Sequence, residues 1–392
     1  MDKKEKKRKA SPPFTTSSLQ QEAVRKLGFT TKKTMMLAQQ LYEGLDLGDF
    51  GTVGLITYMR TDSTRISKQA QDEAKEFIID NYGKPYYPSI ANVYSGKSSA
   101  QDAHEAIRPS DVRKTPETIE QYLTKDQFRL YKIIWTRFIS SQMSNALFDN
   151  TEISIKAEEL LFKLNGSKLI FPGFLLLDGK KDTGKDVVLP DFEVGNELHL
   201  KEVPPPEQHF TEPPPRYNEA TLVKALEEEG IGRPSTYSPI IQTILDRGYV
   251  KRDEKKIIPT ELGFLVIDLL TGYFKEIVDE KFTANLEDSL DAIADGKAKL
   301  PDVLDGFYGP FIEHLQNAQT DISKVSIKPV VSDVPCDKCG KMMVIKNSRY
   351  GQFLACPGYP ACKNTKPIIT YIDNPCPICG GKVGEFKTKR GR

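Results

Sequence analysis

Residues 54–67, GLITYMRTDSTRIS, combine an apolar lead-in, one tyrosine and a run of cations and hydroxyls. Tyr58 ends the apolar part, and Arg60 follows two residues later. If residues 53–58 form a strand, Tyr58 and Arg60 face the same side, because side chains alternate along extended backbone. A phenol with an ordinary pKa of about 10 needs help to attack at neutral pH, for example from a guanidinium. The segment indicates either a strand that ends in a polar loop or a nucleophile that faces a phosphate.

A second polar segment, AHEAIRPS at residues 103–110, adds His104, Glu105 and Arg108. A histidine beside a phosphate can donate a hydrogen bond or shuttle a proton, and an arginine can neutralise the phosphate's charge. Taken by itself, His104 favours a structural role. In combination with Tyr58, the segment indicates a phosphate site.

Residues 230–263 predict a small unit with a defined order of elements. They read as a tight turn, a helix over about 236–246 and then a short hairpin, which resembles a winged-helix unit. The helix entrance offers Arg233, Ser235 and Tyr237 beside free backbone N–H groups, which suits an anion. Ordinary capping, with Ser235 as the N-cap, is the alternative.

Hydrophobic spacing predicts the remaining elements. Residues 19–47 have a helical pattern, and Ser67 and the segment TKDQ at 124–127 are typical helix starts. From Asn150 the period changes to two, with a hairpin turn expected at Asn165-Gly166. A proline-rich segment then precedes further helices.

All six cysteines lie after residue 335, where they form a metal-binding pattern. A C-x2-C pair, sixteen residues and a C-x5-C pair predict a tetrahedral Zn²⁺ site in a chain without signs of secretion. Its ligands are Cys336, Cys339, Cys356 and Cys362. Cys376 and Cys379 either are free or form half of a second site, which the close repeat of PC-x2-CG favours. Lys346 and Phe353 suit single-stranded nucleic acid or, alternatively, a small core.

Length and charge narrow the class of protein. At 392 residues, about two to four domains are expected. The residues from Ile322 onward carry a net charge of +9 and the preceding ones −8, so the tail suits a polyanionic partner, unless it is merely solvated.

No apolar run approaches the ~20 residues of a membrane span, and the basic start lacks a secretory apolar core, so we expect an intracellular location. Residues 179–186 are rejected as a nucleotide-binding P-loop, because Asp186 replaces the required hydroxyl.

Five segments in order resemble the type IA DNA topoisomerase family and, within it, the bacterial DNA topoisomerase I group. The resemblance covers about residues 14–372. Its segments are PFTTSSLQQEA (13–23), GLITYMRTDSTRIS (54–67), AHEAIRPSD (103–111), HFTEPPPRYNEATLVKALEEEGIGRPSTY (209–237) and DRGYV (246–250).

The resemblance implies an ATP-independent enzyme that relaxes negative supercoils. Tyr58 corresponds to the nucleophile that breaks one DNA strand and holds its 5′ end as a phosphotyrosine while the other strand passes, before the break is resealed. Arg60 corresponds to the arginine beside the scissile phosphate. The residues that it implies in DNA binding are His104, Arg108, Arg233, Ser235, Tyr237 and Arg247.

The resemblance also implies an α+β multidomain fold, with helical nucleophile and base domains, a β-rich arch segment and a C-terminal zinc ribbon. We expect residues 1–17 to be a linker or a truncated arch strand. The other expected parts are the nucleophile domain (18–145), arch segment (146–210), helical domain (211–321), zinc ribbon (330–372) and a truncated second ribbon (373–392).

One part of the family's active site has no counterpart in the sequence. Family members bind Mg²⁺ with an acidic cluster on a Toprim domain that contains a D-x-D motif, and this chain contains no D-x-D. We therefore expect Mg²⁺ ligands to lie outside this chain. The alternative function is a non-catalytic protein that binds single-stranded DNA. In either case we expect a cytoplasmic monomer that uses no nucleotide cofactor and no membrane.

Overall fold

The structure is a computed structural model of the chain. It describes residues 1–94, 104–178, 189–190, 193–321, 330–348, 351–372, 379–381 and 383–385. The chain divides into two compact units, Met1–Leu315 and Gln316–Arg392. The P-loop-like segment at 179–186 and Cys376 lie outside the described residues. Helices and small antiparallel sheets occur together, which confirms the expected α+β class.

Helices form the framework around residues 54–67, and side-chain caps start several of them. Thr15, Thr30, Ser67 and Thr124 each accept a hydrogen bond from a backbone N–H in the first turn of the helix that follows. The caps predicted at Ser67 and in TKDQ are therefore confirmed. The helices are α1 (Thr16–Glu22), a π-helical turn (Ala23–Leu27), α2 (Thr31–Glu43), α3 (Lys68–Tyr82), α4 (Pro116–Ile119), α5 (Lys125–Gln142), α6 (Leu175–Asp178), α7 (Glu219–Glu228), α8 (Tyr237–Asp246), α9 (Glu261–Tyr273), α10 (Lys275–Val278), α11 (Glu280–Ala294) and α12 (Leu300–Asp321).

The core of the first unit lies among α1, α2, α3 and α5. Leu19, Leu41, Ile78 and Phe138 contribute one fully buried side chain from each of these helices. Trp135 is also buried, and its indole N–H donates to the Val112 carbonyl at 3.0 Å, so with Tyr131 and Phe138 it belongs to the core. This core gives residues 54–67 a rigid support.

Two predictions for the region before Tyr58 need correction. The helical stretch predicted over 19–47 is broken at Gly28, which has a left-handed φ of 69°, before α2 begins. The strand predicted over 53–58 is wrong: only Thr52–Val53 (β3) is a strand, paired with Leu45–Asp46 (β2). The reason is that Leu55 donates to the C-terminal end of α2 and Ile56 makes a single bridge to Pro109, so no ladder continues.

A three-stranded antiparallel sheet contains the chain's first strand. Its order is β1 (Asp2–Arg8), β4 (Ala146–Ala157) and β5 (Leu160–Phe171). Residues 1–17 were expected to form either a linker or a truncated arch strand, and residues 2–8 form a strand.

The predicted hairpin turn at Asn165-Gly166 is wrong. β4 and β5 are joined at Glu158-Glu159, where Glu158 has a φ of 53°. Asn165 and Gly166 lie inside β5, opposite Glu152 and Thr151, and Gly166 is buried. Pairing over the full length of both strands outweighs the local preference of Asn-Gly for a turn.

The winged-helix order predicted for residues 230–263 is confirmed at the level of its elements. α8 is followed by a hairpin, the wing, of β6 (Val250–Asp253) and β7 (Lys256–Pro259). The N-cap of α8 is Thr236 rather than Ser235, so the capping alternative for Ser235 is wrong. Thr236 instead accepts from Arg233 N at 2.8 Å and so closes the turn before the helix.

A buried carboxylate ties the wing and α7 to α2. Glu219, the first residue of α7, accepts from the backbone N–H and the hydroxyl of Thr31 at 2.7 and 2.9 Å. Its other oxygen accepts two hydrogen bonds from the Arg252 guanidinium, at 3.0 and 2.7 Å. The contact is favourable because the charge meets an arginine and lies at the positive N-terminal ends of two helices.

We predict that Glu219→Gln lowers the free energy of unfolding of the first unit by about 2 kcal/mol, because hydrogen bonds to a buried charge are lost. Glu228→Gln on the same helix is the matched control, since Glu228 is exposed and its pair with Lys224 at 3.4 Å contributes little. Calorimetry or urea unfolding measures both variants. Equal effects from the two substitutions contradict the prediction.

The second unit contains a four-stranded antiparallel sheet that carries the cysteines. Its strand order is β11 (Thr365–Pro367), β10 (Gly351–Ala355), β9 (Met342–Ser348) and β8 (Val330–Pro335). A separate pair is formed by β12 (Thr370–Ile372) and β13 (Val383–Glu385). Met343 and Leu354 are buried beside Cys336 and Cys356, so a small apolar cluster adjoins the sulfur atoms. Among the described helices of the chain, none combines the length and apolar character of a membrane span.

Candidate active site and zinc centre

The backbone around Tyr58 is held on one side by Thr16 of α1. The Thr16 hydroxyl donates to the Met59 carbonyl at 2.7 Å and accepts from the Thr61 N–H at 2.8 Å. The Thr16 N–H also donates to the Thr61 carbonyl at 2.8 Å. Since Thr16 is fully buried, these bonds are shielded from water, and they fix the three peptides from Met59 to Asp62.

Thr57 holds the same backbone on the other side. Its N–H donates to the Arg108 carbonyl at 2.9 Å, and its hydroxyl donates to the Ala106 carbonyl at 2.7 Å. The Arg108 N–H returns a hydrogen bond to the Thr57 hydroxyl at 3.0 Å. The two segments singled out in the sequence, 54–67 and 103–110, are therefore neighbours.

Burial alternates along residues 58–63 although they form no strand. Met59, Thr61 and Ser63 are 1, 2 and 4% exposed. Tyr58 is half-buried and Arg60 is exposed. Tyr58 and Arg60 are thus more exposed than the residues that alternate with them, and hydrogen bonds to Thr16 and Thr57 take the place of a ladder. The backbone bends at residues 59 and 60, so the expectation that both side chains face the same side, which assumed a strand, stays a prediction.

Two aromatic rings flank the ring of Tyr58. The Tyr42 ring centroid lies 5.4 Å away with the planes at 68°, an edge arrangement, and the His104 centroid lies 5.4 Å away at 31°. Within the described residues, the Tyr58 hydroxyl has no hydrogen-bond partner. The ring is therefore held by packing while its oxygen is left available.

Arg108 lies in this region with its guanidinium already bound. Its Nε donates to Glu105 at 2.7 Å, and one Nη donates to the Pro109 carbonyl at 3.0 Å. Burial raises the pKa of Glu105, but the hydrogen bond and charge of Arg108 and hydrogen bonds from Ser67 outweigh it and hold the pKa below its usual value. Glu105 is consequently ionised at neutral pH, and a phosphate must compete with it for Arg108.

At the predicted site before α8, some side chains are engaged within the protein and others are exposed to solvent. Arg233 donates to Asp291 of α11 at 2.7 Å and to the Gly232 carbonyl at 3.0 Å. Tyr237 is 7% exposed, and burial, with the nearby Glu227 charge, raises its pKa to about 12. Ser235 and Arg247 are exposed.

The four predicted zinc ligands converge in the second unit. Their sulfur atoms all lie within 4.8 Å of one another. Cys336 and Cys362 Sγ are 3.7 Å apart, and Cys339 and Cys356 Sγ are 3.3 Å apart. Sulfurs at about 2.3 Å from a tetrahedral Zn²⁺ are about 3.8 Å apart, so the cluster fits this ion.

Hydrogen-bond donors reach two of the four sulfur atoms. The Asn364 amide donates to Cys336 Sγ at 3.3 Å and lowers the pKa of that thiol. Gly358 N donates to Cys356 Sγ at 3.4 Å. Cys379 is exposed and is not part of the cluster, while its predicted partner Cys376 lies outside the described residues.

Three residues at these contacts were not identified from the sequence as functional. Tyr42 lies within residues 19–47, for which only a helical pattern was predicted, and Thr16 and Glu219 act through partners 43 and 188 residues away. A hydroxyl or carboxylate at a helix start signals local capping. It carries no signal for a distant partner.

Two family models match the chain. The model described as DNA topoisomerase matches residues 1–305, and the model described as topoisomerase DNA binding C4 zinc finger matches residues 333–370. Among solved structures, the chain is similar to full-length topoisomerase I from Thermotoga maritima, with 36% sequence identity and a TM-score of 0.72. The match covers 97% of this chain and 61% of that chain, so this chain spans about three-fifths of the length of that relative. The extent of these matches establishes that the chain belongs to the type IA DNA topoisomerase family.

Proposed function

We propose that this chain carries the DNA-cleaving tyrosine of a type IA DNA topoisomerase. The observation that carries the proposal is the state of Tyr58: its ring contacts the rings of Tyr42 and His104, its hydroxyl has no partner among the described residues, and Arg60, two residues on, is exposed. A nucleophile needs this combination of a fixed ring, a free oxygen and a cation nearby.

In the proposed reaction Tyr58 Oη attacks a phosphorus of single-stranded DNA. A bond forms between the phenolic oxygen and phosphorus, and the bond from phosphorus to the 3′ oxygen breaks. The phenol proton passes to solvent, and the released 3′ oxygen takes up a proton. The reverse attack by the 3′ hydroxyl reseals the strand, so the phosphodiester energy is conserved and no ATP is consumed.

The DNA contacts belong to the same proposal. His104 would donate a hydrogen bond to the phosphate, while Ser235 and Arg247 offer exposed donors along the strand. Arg108 and Arg233 would have to exchange Glu105 and Asp291 for phosphate oxygens, and the buried Tyr237 would support its neighbours.

The domain assignments are also proposals. Residues 18–145 would be the nucleophile domain, 146–210 part of an arch, and 211–321 a helical base. The zinc ribbon at 330–372, with Lys346 and Phe353, would bind single strands, and 373–392 would begin a second ribbon. We propose that the protein acts as a monomer in the cytoplasm.

The described residues do not fit a Mg²⁺ site. Among them, the cysteine cluster is the only group of three or more ligand-type side chains close enough to hold an ion. In the proposal the Mg²⁺ ligands belong to a Toprim domain. The match to a topoisomerase DNA binding C4 zinc finger supports a second candidate function, a protein that binds single-stranded DNA without turnover.

We predict that Arg60→Ala slows covalent attack by about 10²- to 10³-fold, because one cation that stabilises the developing charge is lost. Arg113→Ala is the control, since Arg113 is also exposed and pairs only loosely with Glu76 at 3.7 Å. Single-turnover assays at saturating DNA measure both rates. An unchanged rate in Arg60→Ala excludes the role given to Arg60.

The proposal is tested with an oligonucleotide in which sulfur replaces the 3′ oxygen at one phosphodiester. A thiol has a pKa of about 8.5, so it leaves without a proton donor, and the assay depends less on groups outside the chain. The chain is incubated with this DNA and Mg²⁺, with and without a fragment that supplies a Toprim domain. A denaturant-resistant adduct supports the proposal. Bound DNA with no adduct in either mixture contradicts it and supports the binding protein instead.

A further inference from the structure

Tyr42 is an aromatic side chain beside the nucleophile that the proposed reaction leaves without a role. It lies in the last turn of α2, and its ring meets the Tyr58 ring at 5.4 Å in an edge arrangement. It is nevertheless 39% exposed, whereas its helix neighbour Leu41 is fully buried. Packing against Tyr58 therefore uses only part of the ring.

The backbone of Tyr42 is held firmly in place. Leu55 N–H donates to the Leu41 carbonyl at 2.7 Å, which joins the end of α2 to the segment that leads to Tyr58. The two segments approach so closely that a Cβ at Gly54 would lie 2.6 Å from the Tyr42 carbonyl oxygen. A side chain at position 54 would push the helix end away, so glycine permits the contact. The exposed part of the Tyr42 ring thus keeps a fixed position relative to Tyr58.

A fixed, exposed aromatic ring is suited to one ligand chemistry at this place. Single-stranded DNA presents unstacked bases, and each base can stack on an aromatic side chain whatever its sequence. A phosphate held for attack by Tyr58 brings its two flanking bases into the neighbourhood of the Tyr58 ring. Tyr42 offers them a π-surface, and its hydroxyl has no hydrogen-bond partner among the described residues.

We propose that Tyr42 stacks on a base next to the scissile phosphate and so helps to select which phosphodiester Tyr58 attacks. The inference rests on the proposed function, since it assumes that Tyr58 attacks DNA. Tyr42 would be a specificity-determining residue: the energy of stacking is gained only when a base of sufficient surface lies in that position. Purines, with the larger ring system, are expected there.

The test uses the 3′-phosphorothiolate oligonucleotide, whose sulfur fixes the position of attack. Two further versions carry a single abasic residue, one on each side of the scissile phosphate. In the unmodified protein, one of the two abasic versions is expected to lower the efficiency of adduct formation by about 5- to 150-fold. Tyr42→Leu is expected to lose about the same factor with intact DNA and to lose little more when that base is absent.

Two substitutions control the interpretation. Tyr42→Phe keeps the ring and is expected to behave as the unmodified protein. Tyr217→Leu removes a comparably exposed aromatic, 54% exposed, from the same unit and is expected to leave the abasic penalty unchanged. On mixed-sequence DNA, Tyr42→Leu is expected to shift the distribution of cleavage sites, a readout that lower stability alone does not change.

Three results overturn the inference while leaving the proposed function intact. The first is a full abasic penalty in Tyr42→Leu. The second is a loss in Tyr42→Phe as large as in Tyr42→Leu, which assigns the effect to the hydroxyl. The third is a uniform rate loss without any shift of cleavage sites, which makes Tyr42 a support for Tyr58 only. Absence of an adduct in the unmodified protein overturns the proposed function itself and this inference with it.

Discussion

Tyr58→Phe is expected to abolish the covalent DNA adduct while leaving the fold and the affinity for single-stranded DNA nearly unchanged. The substitution removes only the oxygen that would bond to phosphorus. No other described hydroxyl shares its position between the rings of Tyr42 and His104. The adduct should therefore fall below detection in gels that resolve protein bound covalently to labelled DNA.

The structure indicates that Tyr58→Phe removes the hydroxyl without disturbing other contacts of the side chain. The Tyr58 hydroxyl has no hydrogen-bond partner among the described residues, so no buried group is left unsatisfied when it is removed. Both ring contacts remain available to phenylalanine. We expect a change in unfolding free energy within about 0.5 kcal/mol, as for a surface substitution. A persisting adduct would show that another residue is the nucleophile.

Removal of zinc is expected to unfold the sheet that carries the four cysteines. Structural zinc sites of this kind contribute about 10–16 kcal/mol of apparent binding energy near neutral pH, more than a small sheet can replace. Cys356→Ser, or treatment with a strong chelator, should therefore unfold the four-stranded sheet of β8 to β11. The zinc content measured by elemental analysis should fall below one ion per chain. Protease cleavage within residues 330–372 should become rapid.

Cys379→Ser is the matched control for the zinc prediction. Cys379 is exposed and lies outside the four-sulfur cluster, so its loss should leave the zinc content and the protease pattern of the sheet unchanged. A loss of zinc on this substitution would mean that Cys379 replaces one of the four assigned ligands. Full protection of the sheet in zinc-free Cys356→Ser would contradict a structural role for the metal.

Local chemistry explains which features could be predicted from the sequence. Helix starts at Ser67 and Thr124 were predictable because capping involves residues within one turn. The zinc ligands were predictable because two cysteine pairs at this spacing, in a chain without signs of secretion, are typical of a zinc site. A phosphate site that combines Tyr58 and His104 was predicted from the chemistry of their side chains, whereas their individual roles came from the resemblance to the family.

The errors came from competition between local and distant contacts. Asn165-Gly166 is a strong local turn signal, yet its residues pair with β4 over the length of the sheet. The strand predicted before Tyr58 is absent because its backbone binds α2 and the segment at 106–110 instead. Arg233 stays a predicted DNA contact, but its hydrogen bond to Asp291, 58 residues away, was not foreseen. No local pattern encodes such partners.

The identity of the DNA-linked amino acid tests the central claim most directly. Adduct formed with the phosphorothiolate oligonucleotide is digested with trypsin and nuclease, and the modified peptide is sequenced by tandem mass spectrometry. Cleavage after Lys33 and Arg60 should release residues 34–60, which contain both Tyr42 and Tyr58. We predict a 5′-phosphonucleotide on Tyr58. Its presence on Tyr42 or on any other residue would exclude Tyr58 as the nucleophile.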